Sequence, residues 1–288
     1  MDHRKRRCEV GLIGSGIGDS LSPALHEREA VLLGLDYSYA LFDLDELGRA
    51  PEDAGLVARE ALGRGLTGLN ITHPCKQLIV PALDELSAEA EALGAVNTVV
   101  FDADRLVGHN TDASGFREAF ERRLPGAATD SVVLLGAGGA GAAVGYAALS
   151  AGTRRLTIVD VEPERAHELV DRLGERATVG GLDELGDLLA AADGLIHATP
   201  TGMVAHPGTA VPAEMLHGRL WVAEVVYVPI ETALLRDARA KGCRALSGAA
   251  MVALQAAGSM ELFTGVRPDR DRMLQHVDEL ITDRRQAA

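Results

Sequence analysis

Aromatic side chains are scarce in this chain: 3% of 288 residues, with a single Trp. Nucleic-acid binders that stack bases need more aromatic surface than that. The formal charge is −14, which repels phosphate backbones and anionic lipid unless basic residues gather in one patch. The balance argues against nucleic acid as the main partner. It leaves a small anionic substrate open, because a pocket's local field can oppose the total charge. Cysteine is sparse too. Cys8, Cys75 and Cys243 lie far apart, with no CxxC and no His at metal-ligand spacing, so no metal site is expected. Their odd number speaks against a disulfide framework and for a reducing, cytoplasmic setting. Long apolar runs are missing as well. Val10–Ile13 stops at Gly14, short of a signal-peptide core, and nothing approaches the roughly 20 residues of a membrane span. The basic stretch His3–Arg7 reads as a solvated terminal tail.

What is present is ordinary globular material, 47% hydrophobic and 24% charged, on a chain longer than one core usually organises. Two domains are expected. Short apolar runs alternate with segments of helical period, the mark of an α/β protein. Strands are predicted at Glu9–Ile13, Tyr37–Leu44, Gly65–Ile71 and Asn97–Phe101, with a helix over about Ala82–Leu93 and another opening at Pro23 with Ser22 as its cap. After the loop Leu124–Ala127 come the strand Val132–Leu135, an Ala-rich helix to about Ser150, the strand Arg155–Asp160 and a helix over Pro163–Leu173. Further strands are predicted at Gly194–Ala198 and Trp221–Val226, and two helices close the chain, about Ala249–Thr264 and Pro268–Thr282.

Gly136-Ala137-Gly138-Gly139-Ala140-Gly141 follows a buried strand and opens a helix. In that context GxGxxG has a mechanism. Gly136 allows the tight turn, Gly138 lets backbone approach a pyrophosphate, and Gly141 lets the helix pack on the sheet. The helix N-terminus then binds the diphosphate. Asp160, at the end of the next strand, can accept hydrogen bonds from the adenosine ribose, and Glu162 stands two residues on. A 2′-phosphate would meet these carboxylates with only Arg165 nearby to offset them. NAD is expected rather than NADP.

Polar clusters fall in loops of the N-terminal half: Ser20-Leu21-Ser22-Pro23, Asn70 through Lys76, Asn97-Thr98 and Asn110-Thr111-Asp112. Ser20 and Ser22 are two apart, so in an extended loop their hydroxyls point the same way, a reasonable carboxylate cradle. Each cluster alone has a bland reading as cap, turn or surface charge. Together, beside a dinucleotide fold, they point to a polyol or hydroxy-acid pocket.

The segments SLSP, NITHPCK, GAVNTVV, GHNTDASGF, GAGGAGAA, ATPTGM and MVALQAA, in this order from about residue 11 to residue 265, resemble the shikimate/quinate dehydrogenase family. The resemblance implies an N-terminal α/β substrate domain (1–112 and 254–288), a Rossmann-type dinucleotide domain (113–253) and an active site in the cleft between them. It implies that Ser20, Ser22 and Tyr227 hold a substrate carboxylate. Thr72, Asn97, Asp112 and Gln255 would bond ring hydroxyls, and Lys76 and Asp112 would form the catalytic pair. Gly136, Ala137, Gly138, Gly139, Ala140, Asp160, Glu162, Arg165 and Thr199 would bind the cofactor, with Gly248 and Met251 near its nicotinamide. His73 and Cys75 read as structural. The reaction implied is hydride transfer between NAD and the C3 hydroxyl of shikimate, and of quinate, by a monomer or homodimer. Where NADP-using members carry Asn-Arg-Thr this chain has Asp160-Val161-Glu162, and His197 stands where many members have Asn. The alternatives are an NADP-dependent biosynthetic enzyme, a dehydrogenase of an amino analogue, and a dinucleotide sensor without turnover. The sensor would be expected to lack Lys76 or Asp112, and both are present.

Overall fold

The computed structural model describes residues 7–287. Of the basic tail only Arg7 lies among them, paired with Glu9 at 2.6 Å. The chain divides into two compact units, Met1–Thr111 with Ala253–Ala288, and Asp112–Val252.

The first unit runs β1 (Cys8–Gly14), α1 (Ser22–Leu32), β2 (Tyr37–Asp43), α2 (Leu44–Leu47), α3 (Ala54–Gly63), β3 (Gly68–Ile71), α4 (Cys75–Leu78), β4 (Glu85–Leu86), α5 (Ala88–Leu93), β5 (Thr98–Asp102) and β6 (Arg105–His109). Its sheet has the order β2-β1-β3-β5-β6-β4. β1 is parallel to β3, whereas β5 runs antiparallel to both β3 and β6. The carboxyl ends of β1, β3 and β6 therefore lie at the same edge as the amino end of β5. Pairs Asn70–Thr98 and Thr98–His109 mark that edge, and the polar clusters fall on it.

The second unit runs α6 (Asp112–Arg123), β7 (Ser131–Leu135), α7 (Gly139–Ser150), β8 (Arg155–Val159), α8 (Pro163–Leu173), β9 (Ala177–Val179), α9 (Leu185–Ala191), β10 (Gly194–His197), β11 (Trp221–Glu224), α10 (Ala233–Ala240) and β12 (Arg244–Leu246). α11 (Gly248–Thr264) starts in this unit and continues into the first, where α12 (Arg270–Ala287) follows. The sheet is parallel throughout, in the order β12-β11-β10-β7-β8-β9. The strand order reverses between β7 and β10. That is the topological switch point at which doubly wound sheets bind ligands. The two-domain α/β organisation expected from the sequence, with a Rossmann-type second unit, is present. Among the described residues no helix is long and apolar enough to cross a membrane.

Three local expectations need correction. The helix expected over Ala82–Leu93 is broken by β4 and reduced to α5. Asp84 donates its backbone N–H to Leu106 O at 3.0 Å and accepts the Leu106 N–H on its carboxylate at 2.6 Å, which draws the segment into the sheet, and Ser87 then caps α5. Ser22 does not cap α1: Leu21 is the cap residue, and Ser20 Oγ accepts the Ser22 N–H at 3.2 Å. Leu21 has helical angles (φ −81°, ψ −13°), so the extended-loop argument for the two serines fails. α12 begins at Arg270, two residues beyond Pro268.

Candidate active site

In the first unit the polar edge is a single bonded network. Asn70, buried in β3, accepts from the Tyr39 hydroxyl at 2.9 Å and donates to Thr98 Oγ1 at 3.2 Å. Thr98 donates to Asn97 Oδ1 at 2.9 Å, and the same oxygen accepts the Thr111 N–H at 2.8 Å. Asn97 Nδ2 donates to Thr111 Oγ1 at 3.0 Å and to Gln255 Oε1 at 3.3 Å, and Thr111 Oγ1 donates to the Gln255 carbonyl at 3.0 Å. The structure thus joins Asn97 and Gln255, two of the predicted site residues, through side chains. Asn97 Nδ2 has both hydrogens in use, the one to Gln255 over the longer distance. Asp112 follows Thr111 directly, opens α6 and is buried.

Around this core the other predicted residues sit at strand ends. Thr72 follows β3, and its backbone N–H donates to Ile13 O in β1. A Cβ on Gly14 would lie 2.5 Å from Thr72 Cγ2, so the glycine at the end of β1 makes room for Thr72. Lys76 stands in α4, and its carbonyl accepts the Val96 N–H at 2.8 Å, which ties the helix to the residue before Asn97. Its neighbour Cys75 is fully buried, and burial, helped by Glu52, pushes the thiol up to about 11. His73 is exposed. Ser22 is buried and Ser20 half-buried. The loop before them is held by a residue that sequence reasoning missed. Asp43, buried at the end of β2, accepts the backbone N–H groups of Gly16, Ile17 and Asp45 at 3.0, 2.8 and 3.1 Å. Its one sequence signal is its place as the cap of α2.

In the second unit the glycine loop lies at the switch point. Gly136 has φ 106°, and a Cβ there would come within 2.7 Å of Ala198 O, in the loop after β10. A Cβ on Gly141 would lie 2.0 Å from Gly136 O, so no side chain fits where α7 packs on the loop. Gly138 is the contrast: nothing stands within 4 Å of its missing Cβ. Close packing at two glycines and open space at the second, before a helix N-terminus, fit a pyrophosphate. Asp160 closes the loop from below. Its carboxylate accepts the Ala137 N–H at 2.6 Å and the Glu162 N–H at 2.9 Å. Arg165 pairs with Glu162 at 3.0 Å, both exposed. Gly248 starts α11 so close to the turn after β11 that a Cβ would meet Val225 O at 2.3 Å, and Met251 is buried one turn on. Tyr227 is half-buried in the segment between β11 and α10.

Beneath Thr199 lies a buried pair. His197 bonds Glu224 through Nδ1 at 2.8 Å and Thr199 Oγ1 through Nε2 at 2.6 Å. Both ionisable side chains are almost fully buried, at 1% and 0% exposure.

Residues 12–99 match the family described as Shikimate dehydrogenase substrate binding domain, and residues 118–211 match Shikimate / quinate 5-dehydrogenase. The chain is 58% identical over 276 residues to a protein of Streptomyces avermitilis named Shikimate dehydrogenase (NADP(+)), covering 94% of this chain and 95% of that one. It is 47% identical to a Quinate/shikimate dehydrogenase (NAD(+)) of Corynebacterium glutamicum, covering 92% and 95%. Among solved structures it is similar to quinate dehydrogenase from Corynebacterium glutamicum in complex with NAD, with a TM-score of 0.86 and 44% identity over 94% of this chain and 98% of that one. The ordered motifs, the doubly wound second unit and the similarity along nearly the whole length agree: the chain belongs to the shikimate/quinate dehydrogenase family of nicotinamide-dependent oxidoreductases.

Proposed function

We propose that the protein is an NAD-dependent dehydrogenase that interconverts the C3 hydroxyl and ketone of shikimate and quinate. The observation that carries the cofactor choice is the carboxylate pair after β8. Asp160 is bonded into the glycine loop through Ala137, and Glu162 already holds Arg165. A carboxylate has about four lone-pair sites, so Asp160 keeps acceptor capacity for ribose hydroxyls after binding two backbone N–H groups. A 2′-phosphate beside these groups costs on the order of 1 kcal/mol or more per close pair at protein-surface dielectric, roughly tenfold or more in affinity for each. Relatives named for NAD, at 47% and 44% identity, support the reading.

Ser20, Ser22 and Tyr227 take the substrate carboxylate. Thr72, Asn97, Asp112 and Gln255 bond its ring hydroxyls, with Asn97 releasing Gln255 Oε1 to do so. When bound, the nicotinamide accepts or returns the hydride. Lys76, with Asp112, manages the hydroxyl proton: a neutral lysine takes it, and a cationic one stabilises the developing alkoxide. A second reading, NADP-dependent shikimate oxidoreduction, is favoured by the name of the relative at 58% identity and would use Arg165. Initial rates with shikimate and quinate, each with NAD and NADP, separate the two. Faster turnover of shikimate with NADP overturns the cofactor choice, and inactivity on both acids overturns the substrate class.

A further inference from the structure

Nothing in the mechanism above uses His197 or Glu224, yet they are a paired histidine and carboxylate at the carboxyl ends of β10 and β11, beside the switch point. Glu224 Oε1 accepts the Val226 N–H at 3.0 Å as well as His197 Nδ1, and Oε2 accepts the Thr232 hydroxyl at 3.1 Å. Thr232 has no freedom to turn away, since its oxygen caps α10 by accepting the Leu235 N–H at 3.2 Å. An ionised carboxylate only accepts, so with Glu224 ionised the hydrogen between it and His197 sits on Nδ1, and in that neutral tautomer Nε2 is an acceptor for the Thr199 hydroxyl. One lone pair of Thr199 Oγ1 holds the Thr201 N–H at 3.2 Å. The other is left for a single outside donor. Thr199 also lies against the cofactor loop: a Cβ on Gly136 would come within 3.0 Å of Thr199 Cγ2.

We propose that His197, held by Glu224, is a positioning residue for the dinucleotide: it fixes the Thr199 hydroxyl as an acceptor for a hydrogen-bond donor carried by the bound cofactor. The proposal rests on the reading of Thr199 as a cofactor-binding residue. It assigns Glu224 the choice of tautomer. Replacing Glu224 by Gln keeps the shape but leaves one carbonyl oxygen to serve the Val226 N–H, His197 Nδ1 and the Thr232 hydroxyl, which loosens the hold on the ring and its tautomer.

The test is NAD affinity of the full chain by titration calorimetry, for Thr199→Val, His197→Asn, their double variant and Glu224→Gln, with urea unfolding of each as a check on folding. Each single change is expected to weaken NAD by about fivefold, the loss of one ordinary hydrogen bond. The double variant is expected to bind no more weakly than the worse single one, because His197 acts through Thr199. The KM for shikimate is expected to stay within about twofold of wild type in Thr199→Val, in line with a bond made to the cofactor alone. Unchanged affinity in Thr199→Val overturns the reading of Thr199 itself. Weakening in Thr199→Val with none in His197→Asn or Glu224→Gln, or effects of Thr199→Val and His197→Asn that multiply, overturns the positioning role while that reading stands. If His197→Asn does not fold, the shape-conserving Glu224→Gln decides the question by the same measure.

Discussion

The two units place their functional loops at one edge of a sheet, by opposite means. In the first, an edge of mixed strand direction is filled with side chains, and Tyr39, Asn70, Thr98, Asn97, Thr111 and Gln255 are bonded in sequence. In the second, a parallel edge is shaped by side chains that are missing, at Gly136, Gly138 and Gly141. One edge presents hydroxyls and amides of fixed identity, suited to telling one polyol from another. The other presents backbone N–H groups and empty space, which suit a diphosphate whatever the rest of the ligand. On the proposed reading, discrimination in the second unit is left to a few groups at its margin, such as Asp160 and Glu162.

The contrast can be broken at either edge. The largest effect is expected in the first unit, which holds Lys76, the residue proposed to manage the hydroxyl proton with Asp112. Lys76→Ala should lower kcat by about a hundredfold or more while changing the KM for shikimate far less; near-wild-type turnover removes Lys76 from the reaction. In the second unit a single methyl should act differently at two glycines. Gly141→Ala drives a Cβ into Gly136 O and should cost about 3 kcal/mol or more in urea unfolding. Gly138→Ala meets nothing within 4 Å and should unfold like wild type, yet bind NAD at least tenfold more weakly by calorimetry. Equal stability losses at both would mean that the open space at Gly138 is not a ligand's.

A smaller effect separates the units by pH. His26 is fully buried in the first unit, and burial lowers its pKa from 6.5 to about 3. Burial likewise lowers His109 and His276, also in that unit. Below pH 6.5 the unfolded chain takes up a proton at His26 that the folded chain refuses. The stability is thus full above 6.5 and drains away as pH falls toward 3. Between pH 7 and pH 5 the loss from His26 is about 2 kcal/mol. Urea midpoints at the two pH values should show it, and His26→Phe should shrink the difference. An unchanged difference would mean that His26 is not the group refusing the proton.

The same contrast explains what could be read in advance. The glycine loop was legible because its requirements are local: a positive φ, a close approach and a helix start within six residues. The strands of the second unit followed from uninterrupted apolar runs such as Val132–Leu135. In the first unit the clusters were visible, but their wiring was not. Asn97 meets Gln255 across most of the chain, and Asp43 organises a loop far from it in sequence. The hairpin between β5 and β6 turns at Ala103, whose φ is 56° without a glycine, so the usual turn residue was absent from its place. The helix expected over Ala82–Leu93 failed because a long-range pairing, Asp84 with Leu106, outweighs local propensity. His197 was visible as a departure, whereas its partner Glu224 needed the fold.

The first unit is discontinuous, and that has a consequence for how the chain is made. Its sheet is complete by His109, but part of its cover arrives only after residue 252. Phe263 fills the space over Gly68, where a Cβ would come within 2.5 Å of the ring. Glu29, with no exposed side-chain surface, receives its counter-charge from Arg272. On the ribosome, then, the uninterrupted second unit can finish first, while the first waits with an unpaired carboxylate and an uncovered sheet for the residues that follow position 252.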